Sequence, residues 1–450
     1  MLSFGTDPII FRRSFEPYLL VQCSRRRIVS HRRESNIVMQ TETFRKLVSL
    51  EEARRLCRQR LGNHRMDTEC VPLPQAVGRA LVAAISARAP LPHFARSIRD
   101  GYAVRASDTF SASPANVVVL QLTGAVHIGQ TPDFTVQFGE AAPIPTGGML
   151  PDGADAVVMI EYADPMGADE VQIFRAAAPG QYVQQVGEDI PEGKQALAPG
   201  SVLGPAEIAL LSALGETQVE VYCRPRVGIF STGDEIVAPE IEPAPGQTRD
   251  ANAYGLAAAC RSNGSKPLML GIVRDDADEL LNAARAALAD CDILLISGGS
   301  SAGTRDITRQ VLAELTAEQI FVDGIALRPG KPTIVAAQDH RLIFGLPGHP
   351  VSALIVFHRL VRPVIGWLTG TEVHDATQIA RVTCNIPSEA GLTEYVRVKL
   401  RRDGDELWAE PIFGKSASLS TLAQTDGFIE IDTGTEGLTE GEQTPVILWR

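Results

Sequence analysis

The sequence predicts a multidomain chain of the α/β plus β class, with a central open, mostly parallel sheet and β-rich units before and after it. Three observations predict this. The chain has 450 residues, more than the ~250–300 that one hydrophobic core usually organises. Between Arg226 and Leu368, short apolar strand-like runs alternate with helical periods. On either side, brief alternating runs are cut by Gly, Pro and Asp.

Residues 1–43 form a basic extension, with Arg12, Arg13, Arg25, Arg26, Arg27, Arg32 and Arg33 against Asp7, Glu16 and Glu34. It lacks the apolar core and small-residue cleavage site of a secretory leader. Because Met39 stands just ahead of the first well-formed helix, the extension is expected to be a disordered arm or a mis-started frame. That helix opens with Ser49 and Glu52 as a capping box, carries Leu50, Ala53, Leu56, Cys57 and Leu61 on one stripe, and stops at Gly62.

Residues 91–187 read as an inserted β-rich unit, with alternating runs at 134–138 and 170–174. A helix over 205–214 follows, with proline first and Gly215 after its end. Residues 44–90 and 188–223 therefore read as one first domain interrupted by the insert. Over 224–370, strands at 227–231, 268–273, 293–297, 333–337 and 342–346 alternate with helices at 253–262, 278–289, 307–315 and 351–368. This is the pattern of an open parallel sheet covered by helices on both faces. Strands at 379–386, 395–400, 428–431 and 446–449 make 376–450 a small C-terminal β domain.

Composition excludes several functions. A net charge of −12 disfavours a broad nucleic-acid surface or an anionic-membrane patch. The seven cysteines include no Cys-x-x-Cys pair, which suits reduced thiols in a cytoplasmic protein. No apolar run approaches the ~20 residues that cross a bilayer, so no membrane partner is expected. The eight histidines show no metal-ligand spacing, and there is neither a Gly-x-Ser-x-Gly elbow nor a phosphate-binding Gly-Lys-Ser/Thr loop.

Ligands of open parallel sheets sit beyond the carboxyl ends of the strands. Here those ends run into Asp234 and Glu235, into Asp275-Asp276, into the turn from Ser297 to Asp306, and into Pro347-Gly348-His349-Pro350-Val351-Ser352. Each has a plain alternative as a solvated turn or helix cap. Together they are more pointed. Gly298, Gly299 and Gly303 let main-chain amides approach an oxyanion, and Asp306 at the following helix suits a cation bridging to phosphate. Mg²⁺ binds in that way, through one or two carboxylates plus phosphate oxygens. Positive charge gathers on the stiff loop holding Arg328, Lys331 and Pro332, whose alternative is a rigid surface turn. Arg397 reads more readily as a surface strand arginine, and His349 as a satisfied loop histidine rather than a base. In the β-rich unit, turns place Asp100 after Arg96-Ser97-Ile98-Arg99, Thr146 before Gly147-Gly148, and Asp189 after Gly187.

The ordered series Asp100-Gly101-Tyr102-Ala103-Val104, Thr146-Gly147-Gly148, Gly187-Glu188-Asp189, the 231–235 turn, the glycine turn ending at Asp306, Pro329-Gly330-Lys331-Pro332 and the 346–352 turn resembles the molybdopterin molybdenumtransferases. That family includes the E domain of gephyrin and the plant molybdenum insertases, and the likeness spans 45–450. The resemblance implies an elongated first domain with an inserted β domain, an α/β domain of the molybdopterin-binding type and a C-terminal β-barrel. It implies a homodimer whose active site joins the α/β domain of one subunit to the inserted domain of the other. The implied reaction takes adenylylated molybdopterin and molybdate, cleaves the adenylyl phosphoanhydride with Mg²⁺, and releases AMP. A molybdopterin adenylyltransferase is then a further partner.

Position by position, the resemblance assigns Asp100, Asp189, Glu235, Asp275 and Asp306 to the catalytic acidic set, with Asp275 and Asp306 on the metal. Arg328, Lys331, Pro332, Ser352 and Arg397 match the molybdate pocket. Thr146, Asp234, Gly298, Gly299, Ser300, Ser301, Gly303, Pro347, Gly348 and Ser416 match other substrate-binding positions. Three places depart from the family pattern: Arg96–Arg99, His349, and Gly324 where some members carry a second lysine. Three other readings compete. An adenylyltransferase normally needs only the α/β domain, and a scaffold like gephyrin carries an additional domain and linker. A tungstate-specific relative is not distinguished by anything in the sequence.

Overall fold

The computed structural model describes residues 47–298, 302–317 and 319–449. The basic extension, and Gly299, Ser300 and Ser301 of the glycine turn, lie outside the described residues. Helix α1 (Leu50–Leu61) starts as the sequence predicts: the Ser49 hydroxyl accepts the Glu52 amide at 3.1 Å, and Gly62 closes the helix in the left-handed region. Only half of the capping box forms, because the Glu52 carboxylate turns to Arg55 at 2.7 Å. Leu50, Ala53, Cys57 and Leu61 are buried, and they join the core of the central sheet.

Strand β1 (Thr68–Pro72) opens a small unit that the chain leaves and re-enters. The inserted unit holds β2 (Gly101–Val104), β3 (Val118–Leu122), β4 (Glu140–Ile144), β5 (Ala156–Met159), β6 (Ala163–Met166) and β7 (Glu170–Ile173) in one sheet, ordered β5-β2-β4-β3-β7-β6. The strand expected at 134–138 does not form. The amide of Val136 bonds to the Asp152 carbonyl at 2.8 Å as part of an isolated bridge, and Gly139 then redirects the chain at φ 79°. Helix α2 (Pro205–Ala213) and β8 (Gln218–Tyr222) complete the first unit, β8 pairing antiparallel with β1.

The central domain contains β9 (Arg226–Thr232), α3 (Asn252–Ser262), β10 (Lys266–Val273), α4 (Ala277–Asp290), β11 (Ile293–Ser297), α5 (Ala302–Leu315), β12 (Ile320–Asp323), β13 (Leu327–Arg328), β14 (Ile334–Gln338) and β15 (Arg341–Leu346). Its six-stranded sheet is ordered β10-β9-β11-β15-β14-β12. Residues alternate between two buried faces: Ile293 and Leu295 meet α3, while Leu294 and Ile296 meet α4 and α5. The first four strands are parallel; β14 runs antiparallel to both its neighbours, so β12 again points the same way as the first four. The sheet is thus mostly parallel, as expected, and the reason for its one reversed strand is local. Only Asp339 and His340 separate β14 from β15, and a parallel crossover needs about a dozen residues or more.

A long helix follows: α6 (Pro350–Val356), a π turn (Phe357–Val361) and α7 (Arg362–Leu368). With 19 residues it is apolar and long enough to cross a membrane, contrary to the expectation that no run approaches that length. In this fold it is core, 72% buried against the sheet. The last unit comprises β16 (Thr377–Val382), β17 (Thr393–Asp403), β18 (Glu406–Pro411), β19 (Gly427–Ile431) and β20 (Gln443–Leu448). Their order is β13-β17-β18-β16-β20-β19, and β17 also pairs with β19, closing a β-barrel. Its strand β18 was not visible in the sequence pattern.

Candidate active site

Since β10, β9, β11 and β15 are parallel, their carboxyl ends share one edge, spread over ~15 Å at the usual ~4.8 Å strand spacing. Along it stand Asp275, then Asp234 and Glu235, then Gly298, then Pro347 and Gly348. The antiparallel β14 completes this rim. Its first residue Ile334 lies opposite Gly345 near the end of β15, so the loop with Arg328, Lys331 and Pro332 arrives at the same edge. A parallel β14 would have sent that loop to the far side.

The rim opens into a cleft of about 380 Å³ lined by Arg328, Lys331, Pro332, Pro347, Gly348, His349, Ser352, Glu389 and Ser416. An adjoining cleft of about 450 Å³ shares Arg328, Pro329 and Ser416 and adds Glu394, Arg397, Phe413 and Lys415. Basic and hydroxyl groups far apart in sequence therefore converge where the central domain meets the barrel. Arg397 is not a surface arginine. It is 8% exposed and braces the loop carrying Ser416, donating to the Gly414 carbonyl at 2.6 Å and to the Thr421 hydroxyl. Burial lowers its pKa from the arginine range. Arg328 is shared with acids, 3.3 Å from Glu389 and 3.7 Å from Glu394. Among the described residues Lys331 enters no ion pair, so of the two cations lining this cleft it is the more available to an anion.

On the acidic side, Asp276 caps α4 by accepting the Glu279 amide at 2.9 Å, and Asp234 faces Arg274 at 3.5 Å in an exposed pair. Asp275 is half-buried and Glu235 exposed. Asp306 is exposed and lies a turn inside α5, together with Gly303, so the helix-cap alternative does not hold. Gly298 is a packing requirement as well: a Cβ there would lie 1.8 Å from the Thr232 hydroxyl at the end of β9.

Sequence reasoning missed Asp250 and Asn252. Asp250, buried, accepts from the Ser231 hydroxyl at 2.9 Å and the Ala253 amide at 3.0 Å. Asn252 donates to the Ser297 hydroxyl at 2.7 Å and the Gly348 carbonyl at 2.8 Å. Together they tie the ends of β9, β11 and β15. An Asp-x-Asn just before an apolar helix was the available signal. Among the described residues the Asn252 Oδ1 and Thr232 Oγ1 atoms are buried without hydrogen-bond partners, which leaves the rim unused polar capacity.

The inserted unit forms a separate group. Asp100 is exposed and accepts the Thr146 amide at 2.7 Å, and that bond holds its carboxyl below the usual range. Gly101 beside it is obligatory, because a Cβ would lie 1.9 Å from the Val158 carbonyl oxygen. Asp189 is exposed on another turn, its amide bonded to Leu91 at 3.1 Å. Asp100, Thr146 and Asp189 line neither cleft.

Fold and rim together define a multidomain α/β protein with a cleft lined by basic and hydroxyl groups where its sheet meets a C-terminal barrel. Comparison narrows the class. The model of the MoeA N-terminal region (domain I and II) matches residues 48–215, the probable molybdopterin binding domain 228–367, and the MoeA C-terminal region (domain IV) 380–449. A molybdopterin molybdenumtransferase of Nostoc sp. is 40% identical over 307 residues, covering 68% of this chain and 70% of the relative. One from Bacillus subtilis is 34% identical over 406 residues, covering 89% and 93%. The crystal structure of a molybdopterin biosynthesis MoeA protein from Pyrococcus horikoshii superposes with a TM-score of 0.77 at 31% identity, covering 90% of this chain and all of that one. The chain belongs to the MoeA family, the molybdopterin molybdenumtransferases of molybdenum-cofactor biosynthesis.

Proposed function

We propose that the chain inserts molybdate into adenylylated molybdopterin with Mg²⁺-dependent release of AMP, in the cytoplasm, and that the rim cleft holds the molybdate. The observation carrying this reading is the convergence of Lys331, Arg328, Ser352 and Ser416 on one cleft, with Arg397 bracing its wall. A tetrahedral dianion needs several fixed donors and compensating charge, and this set supplies both.

Among the described residues no group of three or more His, Cys, Asp or Glu forms a metal cage. Mg²⁺ in its open mode, on one or two carboxylates plus substrate phosphate oxygens, would be held by Asp275 and Asp306. It would supply positive charge against the departing phosphate. The amides of Gly298 and Gly303 are assigned to the nucleotide phosphates, together with Gly299, Ser300 and Ser301, which lie outside the described residues; Asp234 and Glu235 belong to the same rim. Asp100 and Thr146 lie on the inserted unit, and Asp189 at its junction with the first domain, none of them lining the cleft, which supports a homodimer in which a second copy brings them to this rim. Exposed Phe94, Ile98 and Val186 beside them are apolar surface of the kind such contact covers. The adenylylated substrate would come from a molybdopterin adenylyltransferase.

The test is purified protein with adenylylated molybdopterin, Mg²⁺ and molybdate, followed for AMP. Asp306→Asn is expected to bind the nucleotide substrate yet release no AMP; normal release would remove Asp306 from the mechanism. Lys331→Ala is expected to raise the molybdate requirement at least tenfold, the ~1.4 kcal/mol of one charge-assisted hydrogen bond. An unchanged molybdate dependence would count against the cleft.

A further inference from the structure

His349 occupies the residue before α6, where a side chain often caps the helix, but its ring makes no cap bond. Two features replace one. The Ser416 carbonyl accepts the Val351 amide at 3.1 Å, and the Ser416 hydroxyl lies 2.9 Å from His349 Nδ1. The loop carrying Ser416 is thus docked on the helix start, with the imidazole and the hydroxyl as a bonded pair. Both line the 380 Å³ cleft. The charged groups facing the pair are Arg328 and Lys331 from the basic loop and Glu389 from the turn before β17, with Lys415 next along the Ser416 loop. Arg328 is already engaged by Glu389.

We propose that His349 and Ser416 act as a proton-controlled donor pair that makes oxyanion binding in this cleft tighter when the imidazole is charged. The proposal rests on the reading of the cleft as the molybdate site and adds a specificity-determining residue to it. The physics lies in the polarity of one hydrogen bond. In a neutral ring one nitrogen must be an acceptor. If that nitrogen is Nδ1, it takes the serine proton, and Ser416 then presents only lone pairs. If it is Nε2, the ring itself keeps a lone pair. Protonation removes both obstacles: Nδ1–H donates to Ser416, the serine hydrogen is freed for an anion, and Nε2–H becomes a donor. A positive charge is added to the cleft in the same step. Imidazole is the side chain that ordinarily changes charge between about pH 5 and 8, the range a titration must span to test this.

The sign follows from linkage. An anion that prefers the charged ring takes up a proton on binding, so its affinity falls as pH rises. Calorimetric titration of molybdate into the full chain at pH 6, 7 and 8, in two buffers of different ionisation enthalpy, reads both affinity and proton uptake. The expected result is a three- to tenfold loss of affinity from pH 6 to 8, with part of a proton taken up per anion. His349→Asn keeps an amide within reach of Ser416 but cannot charge. Its affinity is expected to fall below that of the wild type at pH 6 and to show no trend with pH; His349→Gln serves if the first variant misfolds. Ser416→Ala is expected to keep a weaker trend, since charge remains but the freed hydroxyl is gone. A wild type without trend or proton uptake, alongside a clear Lys331→Ala defect, overturns this proposal alone, as does an undiminished trend in both His349 variants. Unaltered affinity in Lys331→Ala at every pH sinks the cleft reading and this proposal with it.

Discussion

At the scale of single residues, the two glycines that flank candidate site groups are fixed by backbone rather than by ligand. Gly101 packs against the Val158 carbonyl across the β2–β5 pairing, and no rotamer change can relieve a contact with main chain. Gly101→Ala is expected to cost about 1–3 kcal/mol through the strain of overpacking. It would also loosen the Asp100–Thr146 bond, seen as a lower melting temperature with Asp100's amide-bonded carboxyl titrating nearer the ordinary range. Gly298→Ala meets the Thr232 hydroxyl, and behind it the Thr232 carbonyl at 2.7 Å. A Thr232→Ala partner change should recover part of the lost stability and not all of it; full recovery would show that the backbone contact is harmless. The sequence singled out Gly298 for its freedom to approach an oxyanion, yet a closer reason is strand packing, which no local pattern reveals. Arg397 was misread for the same reason: a β-strand arginine looks alike in sequence whether it faces water or a barrel loop.

At the scale of elements, the 350–368 helix does two jobs, and its π turn is where they meet. The cleft end carries Ser352, while the π turn directs His358 and Arg359 toward the barrel. Arg359 is 6% exposed; it donates to the Tyr395 hydroxyl and Glu430, both at 2.9 Å, and to Asp375. His358 stacks near Trp449 at 5.5 Å and meets Phe428 edge-on at 5.3 Å. Burial, and then the Arg362 guanidinium 3.2 Å away, push its pKa down to about 4, with Asp375 partly opposing. The unfolded ring takes its proton near the ordinary 6.5 and the folded one resists until about 4, so the unfolded state binds more protons in between. Stability is therefore full above pH 6.5 and declines as pH falls toward 4, by about 3 kcal/mol at most. Asp375 is held below the usual carboxylate range, so its own loss comes at lower pH. Urea midpoints of wild type and His358→Gln at pH 7 and 4.5 test this: the variant should fall less, and equal falls would refute it. The helix itself was legible from its apolar period, and the π turn was not, because one extra residue in a turn hardly disturbs that period. The reversal of β14 could have been read from its short connection to β15.

At the scale of the whole molecule, the distribution of cores decides which parts can stand alone. The inserted unit fills its cores from residues 95–183 only, around Tyr102, Leu120, Ile144, Val158 and Ile173. The barrel has a private core around Val382, Val398, Ala409 and Val446. It also lends Tyr395, Leu422, Phe428 and Ile447 to the large core beneath α6 and α7, which α1 joins from the other end of the chain. This sharing was hidden in the sequence, since an apolar strand residue gives no sign of which neighbour it faces; the order of the segments was plain because turn chemistry and period change at their borders. At ~1.5–3 kcal/mol for each fully buried large apolar side chain, those four residues are worth roughly 6–12 kcal/mol, comparable to the 5–15 kcal/mol that holds a whole domain folded. A chain ending at residue 370 should therefore lose the fixed packing of its central domain as well as the Ser416 side of the cleft. A fragment of residues 91–187 should in contrast melt cooperatively by itself. Near-ultraviolet circular dichroism and dye binding to exposed apolar surface distinguish the two outcomes. A shortened chain that kept native aromatic signals and a sharp melt would mean that the barrel is merely attached, and that the cleft can be assembled from independent halves.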